Sequence, residues 1–173
     1  MPKNTSDILV PHERRIQLID GITDESYQAF SDKLYQLETK SNKSITIELM
    51  SYGGSAYAAL AFASRIRRCK NHITVVAYGM VASAAVLVLA AGHTRSMTKE
   101  SWCMVHEDQG KIKGNLNTLE KETKHMRRLE DQWAELLCEL TLTSKSKWAK
   151  LHKDETYLNA QECLKLGLVD FIV

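Results

Sequence analysis

Proline is almost missing from this sequence: two occur among 173 residues, both within the first eleven. The rest of the chain has no proline to break a helix. An opening arm up to Glu13 is therefore expected, loosely ordered, ahead of a single domain over 14–173. An excess of charge of one sign is also lacking. The net charge is +2, so composition offers no footing for a nucleic acid or an anionic membrane. The small basic group Arg65, Arg67, Arg68 and Lys70 reads as a solvated helix end. No apolar run is long enough to span a bilayer, since the longest, Met80 to Ala91, is broken by Ser83. The opening Met1-Pro2-Lys3-Asn4-Thr5-Ser6 lacks the apolar core of a signal peptide, and a cytoplasmic protein is expected. Four cysteines are present without a CxxC pair. Their spacing suits neither a zinc site nor a disulfide framework, so Cys69, Cys103, Cys138 and Cys163 are expected to be buried free thiols, with no metal site. Linkers, low-complexity tracts and clear internal repeats are absent as well.

What is present is an alternation of apolar periods. Arg15–Ile19 alternates as a short strand, and Thr23 opens a helix to Leu37 with Tyr27, Phe30, Leu34 and Leu37 on one face. Ile45–Met50 and Ile73–Tyr78 read as buried strands, the second ending at Gly79. Ser55–Cys69 reads as a helix rich in small residues, and Ala84–Ala91 as a buried helix closed by Gly92. Trp102–His106 is a further short strand. A long helix from about Asn115 to Leu140 carries Leu119, Met126, Leu129, Trp133, Leu136, Leu137 and Leu140 in one stripe, and its length suggests burial against another subunit. Asn159-Ala160-Gln161-Glu162 has the form of a capping box, Gly167 closes its helix, and Leu168–Val173 reads as a terminal strand. Strand and helix in alternation give an α/β protein of repeated βαβ units with a mostly parallel sheet.

Three chemically distinctive features follow strand ends, where open α/β sheets bind ligands: Gly53-Gly54, Ser83 and His106. Each has an ordinary reading as a turn, a helix cap or a surface histidine. Together they fit acyl transfer. Ser83 is the candidate nucleophile at a strand-to-helix turn, where the helix terminus favours negative charge. His106 is the base that takes its proton, and the N–H groups of Gly53 and Ala84 are the oxyanion donors. An acid to hold the histidine is expected at Asp154 or Glu155.

Four short motifs resemble the proteolytic subunit of the Clp protease, the caseinolytic protease P family of serine peptidases. Gly79-Met80-Val81-Ala82-Ser83 is similar to its nucleophile motif, Ser51-Tyr52-Gly53-Gly54 to its oxyanion motif, and Met104-Val105-His106-Glu107 to its histidine motif. Tyr157–Cys163 with Gly167–Asp170 matches its C-terminal pattern. The resemblance runs from about Arg15 to Val173. It implies the ClpP/crotonase-like fold with the long helix as a protruding handle, and two stacked heptameric rings enclosing a chamber. It also implies unfolded polypeptide substrates fed by a hexameric AAA+ Clp ATPase that uses the ATP, with no cofactor in this subunit. The register puts Glu155 in the place of the triad acid, with Asp154 one residue away. Departures stand at Tyr52, at Glu107-Asp108 after the histidine, and in the short N-terminal arm, which bears on ATPase docking. Two other readings compete: a catalytically inactive ring subunit, and an acyl-CoA enzyme of the crotonase type.

Overall fold

The computed structural model describes residues 12–107 and 113–173. Most of the expected arm lies outside the described residues. The described residues begin with a 3-10 turn, His12–Arg14. Arg14 is buried, and its guanidinium donates to the carbonyls of Leu37 (3.2 Å), Lys43 (2.7 Å) and Ser44 (3.1 Å). It thereby fixes the C-terminal end of the first helix, where carbonyls are left without helical partners.

Five strands form the main sheet in the order β1 (Arg15–Leu18), β2 (Ile45–Ser51), β3 (Ile73–Ala82), β4 (Thr94–Met97) and β7 (Phe171–Ile172), all paired in parallel. Their crossovers are α1 (Asp24–Lys40), α2 (Ala56–Arg67) and α3 (Ala84–Ala90). α1 has the capping box of Thr23 and Ser26 that the sequence indicates, and it buries Phe30, Leu34 and Leu37. The core is continuous from Phe30 and Phe62, in contact at 4.9 Å between ring centres, through the strands to Trp148.

The strand expected to stop at Gly79 continues to Ala82. Ile73–Ala77 pairs with β2, and Thr74–Ala77 with β4. Beyond Gly79, which takes a φ of +56°, Val81 still pairs with Ser51 of β2, while Met80–Ala82 pairs with β5 (Trp102–Val105) in place of β4. Gly79 is therefore a bulge where the strand changes partner, not its end. β6 (Thr156–Asn159) closes this extension antiparallel to β5.

α4 (Leu116–Leu140) is the long helix, capped by Asn115. Only its C-terminal half is covered: Leu129, Trp133, Ala134 and Leu137 are buried, whereas Leu116 is 78% exposed. α5 (Lys145–Lys153) and β6 were not anticipated; α5 is polar apart from Trp148, Ala149 and Leu151. α6 (Ala160–Leu166) carries the expected capping box and the left-handed Gly167 cap. Two expectations are corrected. α3 ends at Ala90 with Ala91 as its cap, so Gly92 is not the left-handed stop. The terminal strand is confined to Phe171–Ile172. Cys69, Cys103 and Cys163 are buried and Cys138 is half-buried, all as free thiols.

Candidate active site

Ser83 stands between β3 and α3 with φ +53° and ψ −124°, a conformation costly for any residue with a Cβ. Its N–H donates to the Met104 carbonyl of β5 at 2.8 Å, which ties the turn to the strand that carries His106. Its hydroxyl makes no cap bond. The ordinary reading of this serine as a helix cap is thus not met.

Gly53 lies directly against this turn. A Cβ built on it would meet Ser83 Cβ at 2.7 Å and the Ala84 nitrogen at 3.0 Å, and its φ is +98°. Only glycine allows the β2–α2 loop this close to Ser83. The loop is anchored on its far side, where Ile22 donates to the Gly53 carbonyl at 2.9 Å and accepts from the Ser55 N–H at 2.7 Å. The Gly53 N–H itself donates to Ser51 Oγ at 3.1 Å, so in this conformation the expected donor is engaged within its own loop. Gly54, the second member of the glycine pair, lines the cleft beside Ser83. Its φ of +150° and the Ile22 carbonyl 2.3 Å from any added Cβ give it the same dependence on glycine.

One cleft is lined by Ser83, Ala84, His106, Glu130, Trp133 and His152, among others. Ser83, Ala84 and His106 are therefore brought together as expected. His106 follows β5 directly, and its Nδ1 bonds the Glu107 carbonyl at 2.6 Å. The carbonyl can only accept, so Nδ1 carries the proton and Nε2 is left as the free base. Ser83 Oγ and His106 are not hydrogen-bonded to each other in this conformation.

The carboxylates are not brought in. Asp154 caps α5 and Glu155 follows at φ +46°; both are exposed, and neither lines the cleft. His152, one helical step earlier, does line it. Burial, and then the neighbouring His106, push its pKa down to about 4, so it is neutral at physiological pH. Sequence reasoning missed His152 because α5 was not recognised as a helix whose last turn faces the cleft.

A family model described as Clp protease matches residues 4–173. The chain belongs to the Clp protease family. Among curated relatives, it is 32% identical to ATP-dependent Clp protease proteolytic subunit 2 of Treponema denticola over 162 residues, covering 92% of this chain and 81% of that one. It is 28% identical to the ATP-dependent Clp protease proteolytic subunit of Bacteroides fragilis over 158 residues, covering 90% and 75% respectively. A solved ClpP1 point mutant from Listeria monocytogenes superposes with a TM-score of 0.86 at 27% identity, over 93% of this chain and 91% of that one. The chain is thus a proteolytic subunit of the Clp serine-peptidase type, with the mixed α/β fold of that family. None of its helices among the described residues is long and apolar enough to cross a membrane.

Proposed function

We propose that this chain hydrolyses peptide bonds of unfolded polypeptides with Ser83 as nucleophile and His106 as general base. The observation that carries this reading is a strained serine whose hydroxyl is uncommitted, on one cleft with a histidine whose Nε2 is free. Ser83 Oγ attacks the scissile carbonyl while His106 Nε2 takes its proton. The same proton then goes to the leaving amine, and a water repeats the cycle on the acyl-enzyme. The developing oxyanion is met by the Ala84 N–H, the first of α3 and free of a helical acceptor, and by the Gly53-Gly54 loop pressed against it. For Gly53 to donate, its N–H must leave Ser51 Oγ. Glu155 stands in the register of the family's acid, but its side chain is exposed and lies off the cleft in this conformation. No cofactor takes part in this subunit.

The same reading has two seven-membered rings stacked face to face in the cytoplasm, with an AAA+ Clp ATPase feeding substrate at the cost of ATP. The exposed N-terminal half of α4 supports an intersubunit role, because its apolar residues have too little of this chain to cover them. A catalytically silent ring subunit is the second reading, favoured by the exposed Glu155 and the absent Ser83–His106 bond. Hydrolysis of a fluorogenic peptide by the purified assembled chain separates the two. Wild-type turnover lost in Ser83→Ala supports the enzyme, and equal turnover in both removes it.

A further inference from the structure

We propose that His152 is a positioning residue for His106, its imidazole accepting the Nδ1–H of the catalytic histidine when that side chain turns toward Ser83. The inference rests on the reading of Ser83 and His106 as nucleophile and base. It adds a residue outside the four motifs by which the chain resembles its family.

His106 must satisfy two demands at once. Its Nε2 has to face Ser83 Oγ, and its Nδ1–H needs an acceptor in that orientation. In the present conformation the Nδ1–H is held by the Glu107 carbonyl, and Ser83 is not engaged. An alternative acceptor must therefore stand on the cleft side. Glu155 is exposed and off the cleft, on a left-handed backbone. His152 is already there, in the last turn of α5, on the wall shared by Ser83 and His106. Its ring is steadied by Trp148, whose ring centre lies 6.4 Å away, and Trp148 is itself fixed by its Nε1–H to Thr141 Oγ1 at 2.9 Å. Both ring nitrogens of His152 are without a hydrogen-bond partner among the described residues. The charged or titratable groups that share this cleft are His106 at the end of β5 and Glu130 on α4.

Burial and His106 keep His152 neutral, with one nitrogen able to accept. When Nε2 takes the Ser83 proton, the positive charge stays on His106, and the bond to His152 only orients it. No proton passes to His152. A neutral acceptor aligns the base as a carboxylate does, but offsets less of its charge.

The test is steady-state hydrolysis of a fluorogenic peptide by the assembled full chain, with fluorophosphonate labelling of Ser83 run beside it. His152→Phe keeps an aromatic ring beside Trp148 but cannot accept a hydrogen bond. His152→Gln keeps an acceptor. We expect His152→Phe to lower kcat by about 10- to 100-fold with KM nearly unchanged, and His152→Gln to recover about tenfold of that loss. His152→Leu makes the same comparison if the Phe variant fails to assemble. Wild-type kcat in the apolar variant, a Gln variant as slow as Phe, or a loss in KM alone overturns the proposal. An unlabelled Ser83 in the wild type would instead defeat the underlying reading of the site. Labelled Ser83 with an indifferent His152 defeats this inference alone.

Discussion

Gly53 and Ser83 approach so closely that a Cβ on the glycine would sit 2.7 Å from that of the serine. The contact joins the β2–α2 loop to the β3–α3 turn and sets the main-chain groups of both against one point. Gly53→Ala places a methyl into Ser83, into the Ala82 carbonyl at 2.8 Å and onto a φ of +98°. Peptidase activity is expected to fall by at least about 100-fold, with about 1–3 kcal/mol of stability lost to strain. Gly21→Ala is the control in a peptidase assay with parallel denaturation: its added Cβ meets nothing closer than 3.5 Å, so both quantities should stay near wild type.

Much of that arrangement was legible beforehand, and the failures have physical causes. Helices with a clear stripe and a cap, such as α1, α4 and α6, declared their starts through Thr23, Asn115 and Asn159, and α6 its end through Gly167, whereas α1 runs on to Lys40, past the expected Leu37. β4 did not, because Thr94-Arg95-Ser96-Met97 has no alternation. It is a strand only because β3 and β7 lie on either side of it. β3 was read short because Gly79 signals a turn locally, whereas the change of partner from β4 to β5 is a tertiary event. Ser83, Ala84 and His106 were legible because each is fixed by main-chain position at a strand end. The acid was not, because Asp154 and Glu155 sit beyond an unrecognised helix, and spacing alone does not say where their carboxylates point.

Arg95 and Asp170 form the main tie of the C-terminal segment. The Arg95 N–H and Nε donate to Asp170 Oδ2 at 2.8 and 3.2 Å, Nη2 donates to Oδ1 at 2.6 Å, and Nη1 reaches the Leu140 carbonyl at the end of α4. Asp170→Ala leaves a partly buried guanidinium without its counter-charge. A loss of about 2–4 kcal/mol is expected in urea denaturation, larger than for a surface pair.

Acid stability should report on Glu38. The Arg65 guanidinium, with a smaller contribution from the Lys70 N–H at 3.2 Å, holds the Glu38 carboxyl down at about 2. The native state thus binds its proton less readily than the unfolded chain, whose carboxyl lies near 4.5. The stabilisation is complete above about pH 5 and is lost as pH falls from there toward 2. Glu38→Gln should be less stable than wild type at pH 7, and the difference should close between about pH 5 and pH 2 in thermal melts.

The two halves of α4 should respond oppositely to substitution. Leu137 is fully buried, and Leu137→Ala is expected to cost about 2–5 kcal/mol in the isolated subunit. Leu116 is 78% exposed, so Leu116→Asp should leave the subunit's circular dichroism unchanged. It should nevertheless reduce the assembled mass measured by light scattering at micromolar concentration. A Leu116→Asp protein with wild-type mass would argue against an intersubunit role for that end of the helix.

The central claim is that the uncommitted Ser83 hydroxyl is a nucleophile activated by His106. Covalent labelling of the assembled protein with a fluorophosphonate probe, located by peptide mass mapping, tests it most directly. The account predicts a single modification at Ser83 that disappears in Ser83→Ala and falls sharply in His106→Ala. A folded, assembled wild-type protein that takes up no probe at Ser83, or labels equally well without His106, would contradict it.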